Sequence, residues 1–151
     1  MANTQAMTTS FKSEILQGVH NFGTAPVRAS GAADSFSAAL YLASATLDAS
    51  TTVYTTTGEV TGSGYSPGGV AVTNATPPTT SGTTAYWTPS ASIVYTGVTL
   101  SVAFDAVLIY NTTQGNKAVS VHTFGSQTVT AGNFTLVMPT NAAGTALLNI
   151  A

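Results

Sequence analysis

The sequence predicts an all-β protein, an antiparallel β-sandwich of jelly-roll-like or immunoglobulin-like type with about eight strands and a short N-terminal helix. Three observations predict it. From Asp34 onward apolar residues recur with a period of two, as they do along half-buried strands. The periodic runs are separated by Gly, Pro, Asn and Ser turns at the spacing of a sandwich. Charged residues make up only 5% of the chain, against about 25–35% on the surface of an ordinary small domain, so its surface rests on Thr, Ser and Gly. A length of 151 residues supports one hydrophobic core without staples, and the absence of cysteine removes disulfides and thiolate metal sites.

Two segments are expected, an N-terminal arm and short helix over residues 1–22 and a sandwich domain over residues 23–151. The first ten residues read as a free arm. Ser10 is placed to cap a helix over residues 11–17, with Phe11, Ile15 and Leu16 as its apolar face and Gly18 as its stop. Two turns of helix are marginal alone in water, so the segment docks. It is either a lid on one end of its own sandwich or an arm that anchors the chain to a neighbour. In the second case the sandwich folds without it.

Phe36, Ala38, Leu40 and Leu42 alternate with Ser37, Ala39 and Tyr41 as a half-buried strand, and residues 51–57, centred on Tyr54, suit a short or edge strand. Residues 58–69 form a glycine-dense loop. No Gly-Lys-Ser/Thr and no helical pattern follow, so it is not a phosphate loop. It reads as connecting geometry or as a contact loop presenting Glu59, Tyr65 and Pro67. Residues 70–73 are a short apolar strand, and residues 74–82, with Pro77 and Pro78 adjacent, a surface excursion. Tyr86 and Trp87 return the chain to a packed region. Residues 93–103 are strand, with Gly97 marking a bulge. Residues 104–110 are apolar on both faces, the pattern of a central strand covered on two sides or of one whose outer face meets another subunit. Further strands fall around Val119 and Val121, over residues 132–138 and over residues 146–150.

The groups able to do chemistry are few. His20 and His122 have no partner at metal-ligand spacing, so no metal and no cofactor are expected. Asp105, flanked by apolar residues, must be solvated, paired or hydrogen-bonded; Lys117 across the turn at residues 111–116 is the expected partner, and a contact with another subunit the alternative. Glu14 and Glu59 are too isolated to work as an acid–base couple, and no Gly-x-Ser-x-Gly elbow opens a helix. The chain does not read as an enzyme. Lys12, Arg28 and Lys117 form no stripe along which a phosphate backbone could run, so nucleic acid is not an expected partner. No run of 18 apolar residues predicts membrane insertion, and the polar first nine residues lack the pattern of a secretory signal, which fits a chain made in cytoplasm.

The run from Phe11 through Lys12-Ser13-Glu14-Ile15-Leu16-Gln17-Gly18-Val19-His20-Asn21 to Phe22 is followed by Ala38-Ala39-Leu40-Tyr41-Leu42 and Ala45-Thr46-Leu47-Asp48. Together with Thr52-Val53-Tyr54-Thr55, the stretch from Gly58 to Tyr65, Leu108-Ile109-Tyr110-Asn111 and Phe124-Gly125, these residues cover most of the chain. They resemble a small protein common in the structural modules of tailed bacteriophages. The resemblance implies a virion structural protein, assembled in host cytoplasm in many symmetric copies that pack against one another and against other virion proteins. It leaves head, neck and tail positions open. A second reading from the residues is a host-receptor or carbohydrate-binding adhesin at the virion surface, in which Tyr65, Tyr86 and Trp87 cover the faces of a host glycan.

Overall fold

Two antiparallel sheets carry the chain in the computed structural model, which describes residues 2–16, 18–22 and 33–151. The elements are β1 (Ala6–Met7), α1 (Thr9–Leu16), β2 (Phe36–Leu42), β3 (Val70–Val72), β4 (Thr79–Ser81), β5 (Thr84–Trp87), β6 (Ile93–Asn111), β7 (Lys117–Leu136) and β8 (Leu148–Ile150). The larger sheet has the order β1-β7-β6-β2-β3 and the smaller β4-β5-β8. The all-β sandwich read from the sequence is what the chain forms, with α1 as its helix.

Strands β6 and β7, of 19 and 20 residues, form one long hairpin that unites runs the sequence shows as separate. The phase changes that interrupt the pattern are bulges within continuous strands. Gly97, at φ 64°, lies in the register shift between Tyr95 and Val98, where the sequence places a bulge. The half of β6 nearest the turn is buried on both faces, as its two-sided apolar pattern requires. Ala106, Leu108 and Tyr110 point to one side, Phe104, Val107 and Ile109 to the other.

The second face meets the inner core. Phe36, Ala38 and Leu40 of β2 pack there with Trp87 and Leu148 of the small sheet and with Phe11 of α1. The first face is covered by loop residues Ala45, Leu47 and Tyr54. Tyr54 stacks on Tyr110 with ring centroids 4.6 Å apart. Residues 51–57 therefore do not make the expected strand. They form one bridge, Val53 to Lys117, and otherwise act as a cover, because burying Tyr54 against the sheet holds them there. Residues 74–82 do run exposed along the surface, but they contain β4, which turns at Gly82 into β5.

The N-terminal residues are not free. Ala6 and Met7 pair with β7. Asn3 donates to the Leu42 carbonyl and accepts from the Leu47 N–H. The helix begins two residues earlier than expected because Thr8, not Ser10, caps it. The Thr8 hydroxyl accepts the Phe11 N–H at 3.3 Å while donating to the Ala118 carbonyl at 3.1 Å. The stop is where the sequence puts it. Gly18, at φ 65°, donates to Ile15 and Val19 donates to Glu14, which is the Schellman pattern.

The glycine loop is built for close backbone approach. A Cβ on Gly62 would lie 2.0 Å from the Thr99 carbonyl oxygen, and one on Gly69, at φ +73°, 1.7 Å from that of Ala38. Replacing Gly69 by Ala adds about 1–2 kcal/mol for the left-handed backbone to about 1–3 kcal/mol for forced repacking. Gly82 has similar φ, +58°, but open space around it, so only the backbone cost applies. Thermal unfolding of Gly69→Ala and Gly82→Ala is expected to show the first melting well below the second; equal melting would contradict the close approach.

Candidate functional site

Two interior polar networks hold the buried Glu14, Asp34 and Glu59, and an apolar pocket lies beside the first. At the turn end of the hairpin, Glu14 of α1 accepts from His20 at 2.7 Å and from Lys117 Nζ at 2.6 Å. The His20 side chain is fully buried. Its other nitrogen, Nδ1, is 3.0 Å from Asn111 Nδ2, and Asn111 Nδ2 is 2.8 Å from Asp34 Oδ2. Asn111 Oδ1 accepts from the N–H groups of Thr113 and Gln114.

These contacts fix the protons. Asn111 Nδ2 has two hydrogens, one for His20 Nδ1 and one for Asp34, so Nδ1 is the acceptor and the imidazole proton sits on Nε2 facing Glu14. Asp34 also accepts from the Asn21 N–H at 2.9 Å and Gln114 Nε2 at 3.2 Å. The network ties the helix, the segment after it and the β6–β7 turn together. Burial lowers the His20 pKa below the usual histidine value against the opposing pull of Glu14, so the ring is neutral at pH 7.

The second network surrounds Glu59, which is 6% exposed. Its carboxylate accepts from the hydroxyls of Tyr54 and Tyr65 and from the Gly68 N–H, each at 2.7 Å. The Tyr65 hydroxyl in turn accepts the Leu40 N–H, and Tyr110 donates to the Gly68 carbonyl. Burial, and then the carboxylate beside them, push the Tyr54 and Tyr65 hydroxyls well above the ordinary phenol range. Both stay protonated donors.

A pocket of about 400 Å³ opens between α1, Phe22 and the small sheet, with Phe11, Ile15, Tyr86, Trp87 and Leu148 in its wall. Phe22 stacks on Phe36 at 4.5 Å and lies 4.6 Å from Trp87, so the wall continues into the inner core.

The residues expected to act at a surface fall largely inside. Phe11 is 1% exposed in the chain's own core, and Ile15 packs against that core; the side chain of Leu16 lies outside the described residues. Their helix is thus a lid of this domain. Glu59 and Tyr65 are bound to each other, which leaves Pro67 as the exposed member of the expected contact loop. Trp87 is 2% exposed and donates from Nε1 to the Thr76 carbonyl at 2.8 Å. Tyr86 borders the pocket, and Tyr65 packs instead near Tyr95, 6.0 Å away, so the three aromatic residues form no common platform.

Asp105 is not paired with Lys117. It accepts from Asn3 Nδ2 at 2.6 Å, and Lys117 reaches Glu14, because β1 and α1 lie against β7 and bring their own partners to both groups. His122 accepts or donates to the Ser120 hydroxyl at 2.8 Å, and Ser120 is 1% exposed. Among the described residues, no three His, Asp or Glu side chains are placed to hold a metal ion. Asn111 and Asp34, the centre of the first network, escaped the sequence reading, because an Asn after a strand looks like any turn residue.

No protein-family profile, no curated protein and no solved structure matches the chain.

The networks set the acid response. Burial places His20 below the usual value near 6.5 and His122 at about 4. The unfolded chain therefore binds more protons than the folded one below about pH 6.5, and stability present above that pH is lost as the pH falls. Glu14, held below its ordinary value of 4.5 by Lys117 and His20 despite burial, adds a further loss in more acid solution. The melting temperature is expected to be steady between about pH 7 and 9 and to fall between about pH 6.5 and 4. A flat profile across that interval would contradict it. Asn111→Ala, which strands several buried partners, is expected to cost about 3 kcal/mol by chemical denaturation.

Proposed function

We propose that the protein is a structural component of a tailed-bacteriophage particle, held in multiple symmetric copies by packing against its own copies and other virion proteins. The observation that carries this reading is the disposition of charge. Glu14, Asp34 and Glu59 are buried, and Asp105 is taken by Asn3, so four of the five acids of the chain are spent on holding it together. The exposed positions among the described residues are mainly Thr, Ser, Gly and Ala, with exposed valines at 94, 102 and 137. Such a surface has little electrostatic hydration to lose on packing, and about 800 Å² per partner suffices for a specific interface. The resemblance of the sequence to phage structural proteins supports the same reading.

The adhesin reading draws less support. It needs aromatic faces open to a sugar, and Tyr65 and Trp87 are engaged inside the domain. Purified particles stripped of this protein and re-exposed to the isolated chain test the proposal. Rebinding in a fixed number of copies per particle, with no loss when host glycans are added, is the expected result. A chain that stays a monomer by light scattering and never rebinds would overturn it.

A further inference from the structure

Strand β7 has two kinds of outer edge. Near the turn the edge is covered: Tyr54 N–H donates to the Asn116 carbonyl, Ala118 N–H to that of Thr52, and Thr8 N–H to that of Val119, while Ala6 and Met7 pair with Val121 and Ser120. From Thr123 to the strand's end at Leu136, β6 is its one strand neighbour among the described residues. That stretch has no Lys, Arg, Asp, Glu or Pro. Open edges are ordinarily protected by charges, prolines or bulges. Among the described residues only bulges serve here.

The register with β6 locates them. Extra β7 residues fall between Thr123 and Gln127 and between Val129 and Gly132, whereas the shift between Tyr95 and Val98 is taken up by β6. Residues 132–136 are therefore the longest unbulged run of the open edge, about the usual length of a strand. Phe134 and Leu136 pair with Tyr95 and Ile93 of the core, which turns Thr135 and its partner Val94 outward. Val94 is 41% exposed. Val137, the next residue beyond the strand, is 79% exposed.

We infer that residues 132–136 of β7 pair antiparallel with the same residues of a second copy, joining two larger sheets edge to edge about a two-fold axis. This rests on the reading of the chain as an assembling structural protein and names the surface it uses. Three features select a second copy. An uncharged edge meets its own copy without like-charge repulsion. A two-fold pairing satisfies both edges with one set of contacts and closes. The opposite edge of the same sheet, β3, and the edge strand β4 are each three residues long, too short to match the open run. The pairing also brings the exposed Val137 of each copy beside the other's strand.

Sedimentation of the full chain over micromolar concentrations tests this. A reversible dimer is expected, with amide hydrogen exchange at residues 132–136 slowing as concentration rises. The exposed double substitution Thr135→Lys with Val137→Lys sets four lysines around the axis and is expected to weaken the dimer at least about tenfold while keeping wild-type melting. Val53→Lys, at an exposed site elsewhere, is expected to leave it intact. A monomer at every concentration, or a dimer indifferent to the double substitution, would overturn the inference. In either case, rebinding to stripped particles would leave the structural reading standing, and failure to rebind would remove both.

Discussion

Strand β6 is buried on both faces along its turn-proximal half, and the rest of the architecture answers that constraint. A strand with Ala106, Leu108 and Tyr110 on one side and Phe104, Val107 and Ile109 on the other has no face to give to water. Each face needs a cover, and among the described residues the sheet has one companion sheet. The inner cover comes from the small sheet through Trp87 and Leu148, completed by Phe11 of the helix. The outer one comes from a loop, through Ala45, Leu47 and Tyr54. Irregular chain is thereby committed to core packing. It also bonds to the sheet it covers, where the Thr52 carbonyl accepts the Ala118 N–H.

Polar networks secure the places where covers meet the sheet. Among the described residues Glu59 is a buried carboxylate without a cationic partner, and two tyrosine hydroxyls and the Gly68 N–H donate to it. That arrangement joins Tyr54 of the outer cover to Tyr65 on the inner core, so one side chain links both coverings of the sheet. Asn111 does the same for the helix and the hairpin turn by using all of its hydrogen-bonding capacity. With so few charges in the chain, this internal use leaves an exterior poor in charge among the described residues, and the proposal of a packed, repeated structural role follows from that.

The two-sided pattern over residues 104–110, the bulge at Gly97 and the stop at Gly18 were legible in the sequence because each is a local event: a period, a phase change, a positive φ. Partners were not local. Ser10 and Thr8 are equally good caps on paper, and only the Ala118 carbonyl, 110 residues away, distinguishes Thr8. Asp105 found Asn3 across 102 residues rather than Lys117 nearby. Tyr65 and Trp87 read as exposed because aromatic residues near glycine and proline loops suggest recognition surfaces. Their polar atoms instead reach inward, to Glu59 and to the Thr76 carbonyl. Periodicity carried the fold, whereas the sites depended on contacts that no spacing encodes.

The claim on which this account turns is that the N-terminal residues are part of the domain's own core. Deleting residues 1–17 and following thermal unfolding of the free chain tests it most directly. Loss of the buried Phe11 alone is expected to cost about 3–5 kcal/mol, and each kcal/mol is worth about 2–4 °C in a chain of this size. Removal of β1 and of the Glu14 contacts adds to that. The account predicts a fall in melting temperature of more than about 10 °C, or failure to fold. Unchanged melting of the truncated chain would contradict it and make the segment an arm for another molecule.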